Sequence, residues 1–528
     1  MRLREKFCKV RVEKEAQMTT ISGIRSRESV LEQTTTGRFL LGVILAAFSG
    51  VMLLLAFPPY GFWWLAWFAF VPAIFAQYRL FPRRWSSLAP AIYLLVWLGP
   101  FMARLFGTEF GPFFTYLGVL IAILGFIMET ERAFIERTRY RWLVLWGVVG
   151  WVGFEMIRAT FIPVVATSAF IGYTQATQAW LIQPVSIFSI YGLNVVILLF
   201  NYALGQAAIA WYDRKQNVPD KVAVGMRSTR NWLVATGIVL AAWIGLSLIT
   251  LNNVSQNPPT VRVAALRANY ALPAHHDEIN TSQVRFETFA QQAREAAQQG
   301  AQILFTSEMM FNFDPQVEFT DAFRAIAKET GAYIFISYSV IKEGEPSRNQ
   351  AVLLSPQGNF SAVYNKTHIP PGESYDIKGG TFPVFDTPLG KLASLICADG
   401  NYTDITRKLT QNGAQLIAAP YKEFPGFGEQ LWTNVTFRAV ENRVAMVVTG
   451  ATSVTSIIDP YGRQIALDVN KDGSQSVLVG EVGLGPGKGT LYTSLGDILG
   501  WATMAGLAIL IIYAAVNGRQ AKKAEKKD

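Results

Sequence analysis

The stretch Ala393-Ser394-Leu395-Ile396-Cys397-Ala398-Asp399 reads as a short apolar strand that ends abruptly on a cysteine and an acid. The chain holds one other cysteine, Cys8, in a polar, basic N-terminal tail. Cys397 has two readings. A strand that fixes a thiol and a turn that exposes it suit a nucleophile. Small buried thiols are also common in ordinary cores. Thiol reactivity needs a neighbouring base or cation, so the surrounding chain decides between the two.

From about residue 260 to 482, β-rich runs alternate with amphipathic helical runs. Strands are expected at 261–266, 303–305, 333–340, 351–355, 362–364, 392–396, 415–419, 445–448 and 454–458. Helices are expected at 282–299, 319–328, from 403, and at 429–442. This alternation predicts an α/β layered domain. Glu308, Lys366 and Cys397 each follow one of these strands, and sites in layered α/β domains gather at strand ends. Singly, Glu308 and Lys366 read as solvated charges. As a set they offer a proton acceptor for the thiol and a cation for a thiolate or an oxyanion.

The rest of the chain is of another kind. Of 528 residues, 51% are hydrophobic and 16% charged, against about 25% charged in soluble chains. Runs approaching the about 20 apolar residues of a membrane span occur at 39–57, 62–77, 88–105, 112–128, 142–161, 185–209, 232–251 and 495–516. The expected organisation is a basic tail (1–37), a seven-helix transmembrane domain (38–252), an extracytoplasmic catalytic domain (253–490), a last transmembrane helix (491–517) and a second basic tail (518–528). Arg79, Arg83, Arg84, Arg132, Arg137, Arg139, Arg141, Arg214 and Lys215 fall in alternate loops, on the side of both tails. The positive-inside rule then makes both termini cytoplasmic and turns the α/β domain outward. The formal charge of +9 is accounted for by those loops and by anionic lipid, with no nucleic-acid partner.

Other features carry less. Glu155 and Arg158, three apart on the fifth span, either pair with each other or offer Arg158 to a lipid phosphate. His275-His276-Asp277 has no further ligands at metal spacing and reads as a polar loop. No phosphate loop or dinucleotide fingerprint occurs, so neither cofactor nor metal is expected. Two cysteines in different compartments exclude a disulfide framework.

The order Glu308, Lys366, Cys397, each at a strand end, resembles the nitrilase (carbon–nitrogen hydrolase) superfamily. The most specific piece is Tyr364-Asn365-Lys366-Thr367-His368-Ile369-Pro370-Pro371-Gly372-Glu373. Such a domain set between a helical bundle and one final helix, with Gln183-Pro184 and Tyr191-Gly192 at the sixth span, is similar to the apolipoprotein N-acyltransferase family. The resemblance implies an αββα sandwich with Glu308 as general base, Lys366 stabilising the oxyanion and Cys397 as nucleophile. It makes Glu373, Asp399 and His368 supporting residues. It further implies a multi-pass protein of the bacterial inner membrane, monomeric, with a phospholipid as acyl donor, an N-terminal lipoprotein amine as acceptor and a thioester between them. A membrane-bound amidase, or acyl transfer to another amine, is the alternative. The chain departs from the family pattern in Ala398 after the cysteine, in the Lys366-to-Glu373 spacing, and in residues 421–428, which replace a Trp-containing loop.

Two aromatic runs flank this set: Phe311 and Phe313 after Glu308, and Phe424 and Phe427 after the strand at 415–419. They read either as core or as a lipid-admitting lid. Their Asn, Pro and Gly neighbours fall outside regular core elements and favour the lid.

Overall fold

The computed structural model describes residues 36–106, 131–162, 167–219, 222–254, 258–268, 281–370, 372–423, 425–469 and 474–525. Among them, six helices are long and apolar enough to cross a membrane, which makes this a multi-pass membrane protein. Five precede the α/β domain: α1 (Thr36–Ala56), α2 (Leu88–Phe106), α3 (Leu143–Phe161), α4 (Val185–Lys215) and α5 (Met226–Asn252). The expected span at 112–128 lies outside the described residues.

The expected span at 62–77 is not one helix. It is built from a 3-10 turn, Trp63–Trp67, a short helix, Val71–Phe75, and a π-helical turn, Ala76–Leu80. Pro72 sits in the first turn of the middle piece, where its missing N–H costs nothing. The break frees backbone donors inside an apolar bundle, and neighbouring side chains take them. Phe70 N–H donates to Asn201 Oδ1 at 3.0 Å and Ala73 N–H to Ser49 Oγ at 2.9 Å. Hydropathy reads composition and cannot see such breaks.

Glu155 and Arg158 on α3 do not take each other as hydrogen-bond partners. Glu155 accepts from Trp151 Nε1 and Asn194 Nδ2, while Arg158 donates to the Ser168 carbonyl and lies over the Phe170 ring. Arg158 therefore ties a membrane helix to the loop that follows it.

The α/β domain has two six-stranded sheets. The first has the order β12-β1-β2-β3-β4-β5 and the second β11-β10-β9-β8-β7-β6. The strands are β1 (Thr260–Arg267), β2 (Ile303–Thr306), β3 (Tyr333–Val340), β4 (Arg348–Leu354), β5 (Phe360–Asn365), β6 (Val384–Thr387), β7 (Gly390–Ser394), β8 (Leu416–Tyr421), β9 (Ala445–Gly450), β10 (Thr455–Ile458), β11 (Gln464–Asp468) and β12 (Ser476–Gly483). Helices α6 (Ser282–Gln298) and α7 (Thr320–Thr330) cover the first sheet, and α8 (Asp404–Gln411) and α9 (Pro425–Asn442) the second. The last helix, α10 (Ile498–Glu525), returns to the bundle beside α3.

The side-chain alternation of β1 fixes this sandwich. Val263 and Ala265 face the second sheet, together with Phe305, Phe335, Leu416 and Val447. Ala264 and Leu266 face α6 and α7 with Phe289 and Phe323. A period of two applied to the apolar run Val263–Leu266 buries both of its faces. Strands β6, β11 and β12, which were not expected from sequence, lie at or next to sheet edges and are half-buried. β1 and β12 pair antiparallel, Thr260 opposite Gly483, so the domain's entry and exit run side by side.

The bundle and the sandwich share one core. Trp432 and Phe437 of α9 pack with bundle residues, and the Phe437 ring meets Tyr173 at 5.4 Å. α4 is broken at Ser189, whose φ of 56° is left-handed. The freed Ile190 N–H donates to Glu441 Oε1 of the α/β domain at 2.9 Å. Arg443 donates to Gln183 Oε1 at 2.6 Å, to the Gln183 carbonyl and to Ser186 Oγ. Hydrogen bonds to a charged donor contribute about 1.5–3 kcal/mol, and more is lost when buried acceptors are left bare. Arg443→Ala is therefore expected to cost about 2–3 kcal/mol, read as a fall in the thermal unfolding midpoint in detergent. An unchanged midpoint would show that the contact contributes nothing.

Candidate active site

β2 and β5 run in the same direction in the first sheet, as do β7 and β8 in the second. Glu308 lies just past β2, Lys366 directly after β5, Cys397 past β7 and Glu423 past β8. The candidate site is assembled from strand ends of both sheets.

Lys366 is 1% exposed. Its Nζ donates to Glu308 Oε1 at 3.0 Å and to Glu373 Oε2 at 2.6 Å. Burial alone would lower its pKa, but Glu308 and Glu373 outweigh that and hold it well above the ordinary lysine value. Glu308 is equally enclosed. Its Oε1 also accepts from Asn349 Nδ2 at 2.8 Å, and its Oε2 accepts the Lys422 backbone N–H at 2.7 Å. Both carboxylate oxygens are thereby fixed in direction.

Cys397 opens a short 3-10 turn, Cys397–Asn401, and has a left-handed φ of 50°. A non-glycine residue held there is strained, and such strain gathers at functional positions. The turn is tight because Gly400 lacks a side chain: a Cβ there would lie 2.1 Å from the Tyr421 hydroxyl. Burial, followed by Glu308 and Glu423, pushes the thiol pKa up against the pull of Lys366, so the resting sulfur is protonated. Its hydrogen bond goes to Glu423 Oε1, at 2.8 Å. Burial pushes Glu423 up to about 7.

Asp399 joins the halves of the site. It accepts from Thr367 N–H at 3.2 Å, His368 N–H at 2.7 Å, Ile396 N–H at 3.2 Å and Tyr364 Oη at 2.7 Å. One buried carboxyl thus couples the segment after Lys366 to the turn carrying Cys397. His368 joins through its backbone only. Its ring stacks on Tyr402 at 3.8 Å and its Nε2 lies 2.8 Å from Asp404 Oδ1.

The structure thus brings together Glu308, Lys366, Glu373, Cys397 and Asp399, with His368 at the margin. It overturns the lid reading of Phe311 and Phe313. Both are buried, with ring centroids of Phe311 at 5.0 Å from Phe323 and of Phe313 at 5.1 Å from Phe319. The backbone turns back after Met309 and bonds along β3, Ser339 N–H to Phe311 O, which swings these rings under α6 and α7. Phe424 and the side chain of Phe427 lie outside the described residues, as do Cys8, His275, His276 and Asp277. Glu423 was not singled out by sequence. Its one signal was its place in the loop that departs from the family pattern.

A carbon–nitrogen hydrolase family model matches residues 262–485, and an apolipoprotein N-acyltransferase N-terminal domain model matches residues 49–203. The apolipoprotein N-acyltransferase of Geobacter metallireducens is 26% identical over 89% of this chain and 95% of its own length. That of Gloeobacter violaceus is 24% identical over 84% of this chain and 88% of its own. The chain thus combines an apolipoprotein N-acyltransferase N-terminal domain with a carbon–nitrogen hydrolase domain, and is similar to apolipoprotein N-acyltransferases over most of its length. Among solved structures, an amidase from Nesterenkonia sp. is 22% identical, with a TM-score of 0.37 over 43% of this chain and 92% of that one.

Both matched regions meet at the turn that begins at Cys397. Tyr173 Oη donates to Thr167 Oγ1 at 2.9 Å, Thr167 Oγ1 donates to the Asn401 carbonyl, and Asn401 Oδ1 accepts from Asn434 Nδ2 at 2.9 Å. The membrane part therefore grips the far end of the turn that begins at Cys397. Asp399→Ala removes the acceptor of three backbone N–H groups. It is expected to cost about 2–4 kcal/mol and to lower the thermal midpoint in detergent, whereas Asp399→Asn, keeping one oxygen, should cost less. Equal midpoints for both variants and the parent would refute the coupling.

Proposed function

We propose that the protein transfers an acyl chain from a phospholipid to the N-terminal amine of a diacylglyceryl-cysteine lipoprotein, through a thioester on Cys397. The observation that carries this reading is the Lys366–Glu308 pair beside a buried thiol, in a turn locked to the membrane bundle through Thr167 and Asn401. A soluble substrate would require no such lock.

In this reading Cys397 attacks the ester carbonyl of the phospholipid. Lys366 faces the developing oxyanion, already charged and held in place by Glu308 and Glu373. The lysophospholipid leaves, and the thioester remains. The lipoprotein amine then attacks, the C–N bond forms and the C–S bond breaks. Glu308 serves as general base and Glu373 supports the ammonium. Water must stay out of the second half-reaction, or the thioester is hydrolysed. Packing of α9 against the bundle supports such a sheltered site.

The proposed organisation has both termini cytoplasmic and the domain between α5 and α10 facing the outer leaflet of the bacterial inner membrane. The alternating basic loops support it.

The test is intact-protein mass spectrometry after incubation with a phospholipid in detergent. A gain of one acyl chain, lost on adding a diacylated lipopeptide that gains the same mass, is the expected result. Cys397→Ser should show no adduct, and Lys366→Met should slow adduct formation by at least about a hundredfold. Release of free fatty acid without transfer would assign the protein to the hydrolases instead.

A further inference from the structure

Three carboxyls and one ammonium act on the Cys397 thiol: Glu308, Glu373 and Glu423 against Lys366. Their hydrogen bonds divide the work unevenly. Glu308 gives both oxygens to other donors, the Lys366 ammonium, Asn349 and the Lys422 N–H. Glu373 is directed at Lys366. Glu423 is the carboxyl on which the thiol itself is hydrogen-bonded, at 2.8 Å.

The loop is built to hold it there. β8 ends at Tyr421, the next residue sends its N–H to Glu308, and Glu423 O accepts from Thr452 Oγ1 at 2.6 Å. Glu423 is thus anchored on both sides of its side chain, once through Lys422 and once through its own carbonyl.

The geometry points to Glu423 as a second acid–base residue of the site, the one that takes the Cys397 proton and hands it to the leaving alcohol. This rests on the reading of Cys397 as the nucleophile. The steps balance. Glu423 carboxylate removes the proton from Sγ, and Sγ forms a bond to the ester carbonyl carbon. The carbon–oxygen ester bond then breaks, and the lysophospholipid oxygen receives the proton from Glu423. The carboxylate is restored together with the thioester, with no net proton gained or lost. Glu308 is left to take the proton of the incoming amine in the second half-reaction and return it to the departing sulfur, restoring the Cys397 thiol, with Lys366 still charged beside it.

The groups facing the Glu423 carboxyl are Cys397, Glu308, Lys366 and Glu373, with Tyr421 also within electrostatic reach. Burial and two neighbouring carboxyls raise it to about 7, against the thiol hydrogen bond and Lys366. A base must be deprotonated to act. Acylation of the enzyme should therefore rise with pH through about 7 and level off above it.

The test separates the half-reactions. Purified full-length protein is mixed with excess phospholipid in detergent, and the Cys397 acyl adduct is followed by mass in single turnover from pH 5.5 to 8.5. The preformed adduct is then mixed with a diacylated lipopeptide and its decay followed. Glu423→Gln is expected to slow adduct formation about a hundredfold and to remove the rise near pH 7. Decay on adding lipopeptide should change less than about threefold. Glu423→Asp keeps an acid and should restore the pH-dependent rise at a reduced rate, which a purely structural role would not produce.

Adduct formation in Glu423→Gln at the parent rate and with the parent pH profile overturns the inference while leaving Cys397 as nucleophile. Equal slowing of both half-reactions in Glu423→Gln, without rescue in Glu423→Asp, also overturns it. Absence of any adduct on the parent protein overturns both this inference and the reading beneath it.

Discussion

Taking an ammonium out of water costs several kcal/mol unless opposite charge and hydrogen-bond acceptors meet it. Lys366 is almost wholly enclosed, and the site is arranged around satisfying it. Glu308 approaches from β2 and Glu373 from the segment after β5. Removing both partners would leave an uncompensated charge. The same enclosure that makes the lysine costly makes it effective, since a preoriented cation acts more strongly in a site poor in water. The strand ends, the tight turn at Cys397 and the Asp399 bridge all follow from holding one cation beside one sulfur.

The second constraint is that this arrangement is not free-standing. Glu441 of the sandwich caps the break in α4, Arg443 binds the turn before it, and Thr167 reaches the Asn401 carbonyl. An anchored enzyme needs a tether. Here the bundle supplies hydrogen-bond partners to the turn that carries the thiol, and so takes part in shaping the site. That is the physical difference between this chain and a hydrolase domain fused to a membrane helix.

Much of this was legible in the sequence, for identifiable reasons. Strands buried on both faces, such as β2, β3 and β8, appear as uninterrupted apolar runs; Glu308 and Cys397 stand out because each follows a buried run, whereas Lys366 follows the half-exposed edge strand β5 and stands out by the motif around it. β6, β11 and β12 were missed because half-exposed edge strands mix polar residues and glycines, as at Gly480 and Gly483. The break at 62–80 was invisible to hydropathy although Gly61 and Pro72 mark it. Phe311 and Phe313 misled because their neighbours are loop-like while their rings are core. Glu423 could not be ranked from sequence: an acid in an atypical loop becomes meaningful only when its oxygen is seen against the sulfur.

The pairing of β1 with β12 has a wider consequence. A folded unit whose two ends emerge as hydrogen-bonded neighbours can be threaded into a host chain at one point without prising the host apart. Two transmembrane segments that finish near each other are all the host must offer, and α5 and α10 occupy those positions here. The sandwich is in that sense a cassette. It joins the bundle through two strands zipped to each other, which adds to the side-chain contacts a restraint against pivoting about a single strand.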